Sequence, residues 1–122
     1  MCGIWFFLSL NPLNDIDKQL LFKLFNKIKN RGPDQSTFNE IKLFENKINM
    51  DLFLGFHRLA IIDKLPIGNQ PFILCNQINN NNKIIYCMCN GEIYNHHELK
   101  QKYNIQTKSQ SDCEIIPHLY NI

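Results

Sequence analysis

The order of the strand-like segments constrains the fold of this chain more than any other feature. Apolar, β-branched and aromatic residues predict strands at 3–10, 36–46, 50–63, 71–76 and 83–91. A helical pattern separates only the first two of these segments, so strands and helices do not alternate regularly. We therefore predict an α+β fold with antiparallel sheets.

One long amphipathic segment predicts a helix between residues 14 and 32. Its apolar residues recur every four positions, while lysines occupy the opposite face. The predicted buried stripe consists of Ile16, Leu20, Leu24 and Ile28, with Leu21 and Phe25 beside it. Asn14 or Asp15 is a suitable N-cap for this helix, and Gly32 is a suitable residue to end it.

Shorter patterns follow in the second half of the chain. Residues 96–103 predict a short helix, residues 105–109 a short strand, and residues 111–122 a final helix. Ser111 and Glu114 have the spacing of a capping box at the start of that final helix. Pro117 lies inside it and predicts a kink or an early end.

Two polar segments predict the connections between strands. The asparagine-rich residues 76–82 predict a solvent-exposed loop inside a hairpin. Asn46-Lys47 predicts the turn between the two preceding strands.

Length and charge limit the functional classes. The 122 residues suffice for one domain, or for part of one. The net charge of +2, without a basic cluster, does not indicate nucleic-acid binding. No segment approaches the roughly 20 apolar residues of a transmembrane helix, and the N-terminus lacks the positive region of a secretory signal. We expect a cytoplasmic protein that binds neither nucleic acid nor membrane.

The five cysteines also indicate a reducing compartment. An odd number without a signal peptide argues against a disulfide framework. Cys87 and Cys89 lack the spacing of a zinc-binding pair, and the adjacent His96 and His97 are expected to point in different directions. We predict no metal site, and we interpret the cysteines beyond Cys2 as small buried apolar side chains.

Cys2 directly follows the initiator methionine, and its position suggests a catalytic role. Removal of Met1 would leave a terminal residue that carries both a thiol and a free α-amine. An unperturbed α-amine has a pKa of about 7.7–8.0, so a minority of these amines are uncharged at neutral pH. The amine could then take the proton of the thiol, as the terminal amine does in threonine hydrolases. The alternative is that Cys2 is only a small residue before a buried strand.

Five short segments behind "MCGI" carry a resemblance to a known family. They are "RGPD" at 31–34, "HRLAIID" at 57–63, "GNQP" at 68–71, "NGEIYN" at 90–95 and "SDCE" at 111–114. In this order they resemble the glutaminase domain of the glutamine-hydrolysing asparagine synthetases, which are class II glutamine amidotransferases. The resemblance implies an N-terminal-nucleophile hydrolase αββα sandwich, formed here by residues 2–122 and incomplete at the C-terminus.

The chemistry of amide hydrolysis gives these segments candidate roles. The reaction needs a nucleophile, oxyanion donors and groups that bind the charged head of the amino acid. Cys2 supplies the thiol, while the Asn90 side chain and the Gly91 backbone N–H can donate to an oxyanion. Arg58 can bind a carboxylate through two parallel hydrogen bonds.

The remaining candidate substrate-binding residues follow partly from their chemistry and partly from the resemblance. Asp112 and Glu92 can receive the ammonium group of glutamine, and the resemblance gives this role to Asp112. The resemblance also implies that the backbone from Arg58 through Ile61 and Ile62 lines the glutamine pocket. Phe56 departs from the family, which often has histidine at that position.

The resemblance further implies the partners of the reaction. Ammonia released from glutamine would be used by a synthetase domain, absent here or present as a separate chain, for the amidation of aspartate. This chain itself has no phosphate-binding glycine loop and needs no cofactor, so ATP and Mg²⁺ are expected only in the synthetase domain. A homodimer is possible for the full-length protein.

Several alternatives remain open at this stage. The chain could be a catalytically silent glutamine-binding remnant or interaction module, or the glutaminase of another class II amidotransferase. Asn90-Gly91 is also a common turn dipeptide, and Asp112 could simply stabilise a helix N-terminus. His57 is interpreted as a core histidine.

Overall fold

The computed structural model describes residues 1–78 and 81–122, and it divides into two compact units, Met1–Leu59 and Ala60–Ile122. The first unit contains three strands and one α-helix. Strands β1 (Gly3–Ser9), β2 (Gln35–Glu45) and β3 (Ile48–Arg58) form an antiparallel sheet in the order β1-β3-β2. Helix α1 spans Asp15–Asn26.

The hairpin between β2 and β3 confirms the turn predicted from the sequence. Asn46 and Lys47 have φ angles of 50° and 66°, and Glu45 pairs with Ile48 across the two-residue loop. Two consecutive residues with positive φ match the twist of a tight hairpin, a conformation that asparagine tolerates well.

Helix α1 packs on the sheet through Phe25. Trp5, Gly55 and Phe38 form one row across the three strands, and a Cβ atom on Gly55 would lie 2.5 Å from the Phe25 ring. Phe25 also stacks on the buried His57 ring, with centroids 3.8 Å apart. Gly55 therefore provides the space in which the helix reaches the sheet.

The buried face of α1 differs from the predicted one. The buried residues are Leu21 and Phe25, whereas Ile16, Leu20 and Leu24 are exposed. The predicted stripe is therefore confirmed for Leu21 and Phe25 and wrong for Ile16, Leu20 and Leu24, because aromatic packing beside Gly55 buries the face of Phe25. Asn14 is the predicted N-cap, since its side chain accepts a hydrogen bond from the Asp17 amide at 2.9 Å.

The prediction that Gly32 ends α1 was wrong. The helix ends at Asn26, and Gly32 follows a short 3₁₀ turn at Lys29–Arg31. A Cβ atom at Gly32 would lie 2.1 Å from the His57 carbonyl oxygen. The glycine is therefore required by the close approach of this loop to β3.

The first strand is present as predicted, but it is not buried. β1 is an edge strand, and only Gly3 is fully buried along it. Ile4, Phe6 and Leu8 share one face and are exposed to solvent.

The second unit contains one hairpin and short helices. Strands β4 (Phe72–Ile78) and β5 (Asn81–Cys87) are antiparallel. Helix α2 spans His96–Lys102, and a 3₁₀ turn at Asp112–Glu114 leads into helix α3 at Ile115–Tyr120. The hairpin was predicted, but 76–78 and 81–82 belong to strands rather than to the predicted loop. The rest of that loop, 79–80, lies outside the described residues.

Residues 105–109 do not form the predicted strand, and two of their amides bind the buried Glu114 carboxylate. Glu114 accepts hydrogen bonds from the Lys108 and Ser109 amides at 2.9 and 2.7 Å, and from the Ser109 hydroxyl. These amides therefore bind a side chain instead of a neighbouring strand. The predicted capping box is wrong, because the Ser111 amide donates to Ser109 Oγ at 3.2 Å and the Ser111 side chain makes no capping hydrogen bond.

Pro117 does not end α3, which continues three residues further to Tyr120. It occupies the first turn of the helix, where its missing N–H has no intrahelical acceptor. The energetic penalty of an interior proline therefore does not apply here.

The α+β class with antiparallel sheets is confirmed in both units. The four-layer sandwich implied by the resemblance stays a prediction. No helix in the described part of the chain is long and apolar enough to cross a bilayer.

Candidate active site

The Cys2 thiol lies beside the end of β3. Gly3 pairs with His57, so Cys2 continues β1 alongside the last residues of that strand. The Leu59 amide donates a hydrogen bond to Cys2 Sγ at 3.3 Å, and the thiol contacts the Leu59 carbonyl oxygen at 3.7 Å. Arg31 Nε donates to the Cys2 carbonyl oxygen at 3.1 Å. The thiol and its backbone are therefore held from two segments of the first unit.

Arg58 is buried next to this thiol-bearing segment. Its Nη1 donates to Gln35 Oε1 at 3.1 Å, and its carbonyl oxygen accepts from the Asp34 amide at 3.0 Å. The "RGPD" segment thus joins β3 at the residue predicted to bind the glutamine carboxylate. His57 is a core histidine, as predicted, with Ser36 Oγ at 2.7 Å from Nδ1 and the Phe25 carbonyl oxygen at 3.0 Å from Nε2.

The segment after Arg58 is not the strand that the sequence predicts. β3 ends at Arg58, and Ile61 and Ile62 are exposed residues of the second unit. Asp63 shapes this loop, because its carboxylate accepts from the Leu65 and Gln110 amides at 2.8 Å each. The pocket role of the Ile61 and Ile62 backbone stays a prediction.

The backbone around Asn90-Gly91 is held at three atoms, which belong to Cys89, Gly91 and Ile93. Gln70 Oε1 accepts from the Cys89 amide at 2.6 Å, just before Asn90. The Cys113 thiol contacts the Gly91 carbonyl oxygen at 3.3 Å. Asp112 Oδ2 accepts from the Ile93 amide at 2.5 Å, two residues after Gly91. We call Gln70, Asp112 and Cys113 the loop clamp.

The two acidic candidates differ in exposure. Asp112 is buried at the start of the 3₁₀ turn and belongs to the loop clamp, whereas Glu92 is exposed. The structure therefore brings Asp112 together with the Asn90-Gly91 segment within the second unit.

The cysteines have distinct surroundings. Cys113 is buried and Cys75 is exposed, while Cys87 and Cys89 are half-buried. The prediction that these thiols are buried is therefore confirmed for Cys113, wrong for Cys75 and met only in part by Cys87 and Cys89. Burial, together with hydrogen bonding to Cys89, raises the pKa of the Cys113 thiol. Burial also raises the pKa of Cys87.

His96 and His97 were expected to point in different directions, and this prediction was wrong. Their ring centroids lie 3.9 Å from each other. Burial, followed by the charge of His97, lowers the pKa of His96. Within residues 1–78 and 81–122, no group of three or more His, Cys, Asp or Glu side chains could hold a metal ion.

Comparison with known proteins decides the family. A family model described as a glutamine amidotransferase domain matches residues 1–122. The chain belongs to this glutamine amidotransferase family. Its relatives include a probable glutamine-hydrolysing asparagine synthetase of Acanthamoeba polyphaga mimivirus, 42% identical over the whole chain. The asparagine synthetases 1 of Lotus japonicus and Arabidopsis thaliana are 37% and 36% identical over 98% of the chain.

These relatives are much longer than the amidotransferase chain described here. The chain spans 20% of the mimivirus protein and 18% of each of the two plant proteins. No solved structure matches the sequence.

Sequence reasoning missed three groups in this amidotransferase domain. The Leu59 backbone brackets the Cys2 thiol, and Gln70 and Cys113 hold the Asn90-Gly91 segment. The "GNQP" and "SDCE" segments contain two of these residues, Gln70 and Cys113. The partner of a backbone amide depends on tertiary structure, so no local pattern identifies it.

Proposed function

We propose that this amidotransferase domain hydrolyses glutamine to glutamate and ammonia through a thioester on Cys2. The thiol sulfur attacks the side-chain amide carbon of glutamine. The C–N bond then breaks, and the nitrogen takes up the thiol proton and leaves as ammonia. Water then attacks the thioester, which releases glutamate and restores the thiol. The observation that carries this proposal is the family match over residues 1–122, which includes Cys2 at its N-terminal end.

The proposed mechanism requires removal of Met1. While Met1 is present, the nitrogen of Cys2 is part of a peptide bond and cannot act as a base. After removal, the free α-amine of Cys2 takes the thiol proton and passes it to the leaving nitrogen. The contacts of the sulfur with the Leu59 N–H and C=O support this role, because they position the thiol.

The proposed oxyanion donors are the Asn90 side chain and the Gly91 N–H. A donor of this kind contributes to catalysis only when it is held in place before the reaction. The loop clamp supports the proposal, because it fixes backbone atoms on both sides of Asn90. Arg58 is the proposed partner of the substrate carboxylate, and Asp112 that of the ammonium, with Glu92 as a second acidic group. The Ile61 and Ile62 backbone is the proposed lining.

The proposed use of the ammonia is the amidation of aspartate. The relatives are named as glutamine-hydrolysing asparagine synthetases, and this chain spans about a fifth of their length. We propose that the ATP- and Mg²⁺-dependent step belongs to a synthetase domain outside these 122 residues, or to a separate chain.

The experiment that tests the nucleophile is an intact-mass measurement after treatment with a diazo-ketone that mimics glutamine. We expect a species that lacks Met1 and carries one adduct, and no adduct on Cys2→Ala. Cys75→Ala is the matched control, because it removes an exposed thiol. This variant is expected to carry the same single adduct as the parent chain.

Three results would contradict the proposal. Retained Met1 would leave Cys2 without its amine. An unreacted chain that has lost Met1 would indicate a silent remnant. An adduct that persists in Cys2→Ala would place the reactive nucleophile elsewhere.

A further inference from the structure

Two thiols of the second unit lie unusually close together. Cys89 Sγ and Cys113 Sγ are 3.0 Å apart, and a disulfide bond is about 2.03–2.05 Å long. Closing this gap requires the sulfurs to approach each other by about 1 Å. Cys89 follows strand β5, whereas Cys113 lies in the 3₁₀ turn before α3, so the pair joins segments 24 residues apart in sequence.

The two thiols also differ in their access to solvent. Cys89 is half-buried and Cys113 is buried, so a dissolved oxidant meets Cys89 first. Burial also raises the pKa of Cys113, which lowers the reactivity of this thiol toward a dissolved oxidant. Redox-sensor cysteines are often solvent-accessible and lie next to a second cysteine that resolves the sulfenic acid.

We propose that Cys89 and Cys113 form a reversible disulfide when a hydroperoxide oxidises the protein. Cys89 sulfur attacks the peroxide oxygen, the O–O bond breaks, and Cys89 becomes a sulfenic acid as the alcohol or water departs. Cys113 sulfur then attacks Cys89 sulfur, and the hydroxyl leaves as water with the proton of Cys113. A dithiol reductant reverses the bond by thiol–disulfide exchange.

The disulfide would act on the Asn90-Gly91 segment. Cys89 directly precedes Asn90, and Cys113 directly follows Asp112. Oxidation also removes the thiol hydrogen that Cys113 can direct to the Gly91 carbonyl oxygen. The oxidised protein is therefore expected to hydrolyse glutamine more slowly, a consequence that rests on the function proposed above.

The first experiment tests the bond itself and needs no activity. The complete gene product, carrying Cys2→Ala to remove the proposed nucleophile, is treated with hydrogen peroxide, alkylated and mapped without reduction. We expect a peptide that links Cys89 to Cys113, the loss of two hydrogens, and full reversal by dithiothreitol. The linkage is expected to persist in the matched control Cys87→Ser and to vanish in Cys89→Ser and Cys113→Ser.

Other results of the mapping would overturn the proposal. They are a link to Cys75 or Cys87, oxidation of Cys89 to the sulfinic acid without a link, and an unmodified pair at peroxide concentrations that modify the exposed Cys75.

The second experiment tests the regulatory consequence in protein with native Cys2. Peroxide is expected to lower glutamine hydrolysis about five-fold or more, with recovery in dithiothreitol. An equal, reversible loss in Cys89→Ser would assign the effect to Cys2 and overturn the regulation. A reduced protein without any hydrolysis would contradict the proposed function, while the peptide map still decides the disulfide.

Discussion

At the scale of single residues, one buried amide side chain supports the proposed oxyanion donors. Gln70 is buried, and its Oε1 accepts from the Cys89 amide at 2.6 Å. When a buried amide N–H loses its acceptor, the free energy of unfolding falls by about 1–3 kcal/mol, because water does not replace the missing partner. Gln70 is therefore a positioning residue for Asn90, one position further along the chain.

Replacement of Gln70 by methionine is expected to lower kcat for glutamine hydrolysis about ten-fold, with a smaller effect on KM. Methionine preserves the size of the side chain but removes the acceptor. Gln70→Glu retains an acceptor oxygen and is expected to recover part of the loss. Steady-state kinetics measures both constants, and the exposed Gln101→Met is the control. Equal changes in Gln70→Met and Gln70→Glu would show that the side chain acts only through packing.

At the scale of secondary-structure elements, a chain of charges connects α1, β2 and β3. The buried Asp51 carboxylate accepts from the Leu13 amide at 2.9 Å and from Lys42 Nζ at 2.7 Å. Lys42 and Lys18 both pair with Glu40, at 2.9 and 2.8 Å. These hydrogen bonds and ion pairs thus connect α1 and the segment before it to β2 and β3.

The pKa of Asp51 is lowered by its hydrogen bonds to the Leu13 amide and to Lys42. An unfolded aspartate has a pKa of about 3.9, so on acidification the unfolded chain binds the proton first. The stabilisation is therefore fully present above about pH 4 and is lost as the pH falls through the lower, folded-state pKa.

Asp51→Asn is expected to reduce the free energy of unfolding at neutral pH by about 1.5–3 kcal/mol. It should also flatten the acid limb of the stability curve, because the titrating group is gone. Urea titrations between neutral and acidic pH measure both effects, with the exposed Glu45→Gln as the matched control. A parallel acid limb in Asp51→Asn and the parent would show that Asp51 does not carry this pH dependence.

At the scale of the whole molecule, one face of β1 leaves apolar side chains in contact with water. Phe6 is 59% exposed, Leu8 43% and Ile4 41%, and all three lie on the same face of an edge strand. Clustered apolar groups on an unprotected edge favour association between chains.

Phe6→Lys is therefore expected to decrease self-association of this 122-residue chain. Light scattering coupled to size-exclusion chromatography measures the mass distribution. Phe44→Lys is the matched control, because Phe44 is a single exposed aromatic side chain on β2, on the opposite sheet face. A monomeric parent chain at every concentration would contradict this prediction, as would an equal effect of both variants.

Local chemistry determined much of this protein from the sequence alone. The Asn14 cap, the Asn46-Lys47 turn and the hairpin of β4 and β5 all follow from residues close in sequence. The amidotransferase family was equally accessible, because ordered short segments carry it. The roles of the candidate site residues stay predictions.

Only the tertiary structure decided which of several locally acceptable partners each group takes. Either apolar face of α1 could be buried, and the space above Gly55 selected Leu21 and Phe25. Residues 105–109 could form a strand, but the Glu114 carboxylate binds two nearby amides. The Cys89–Cys113 contact joins residues distant in sequence. Sequence patterns report local preference, whereas burial and hydrogen bonding are settled by competition among distant groups.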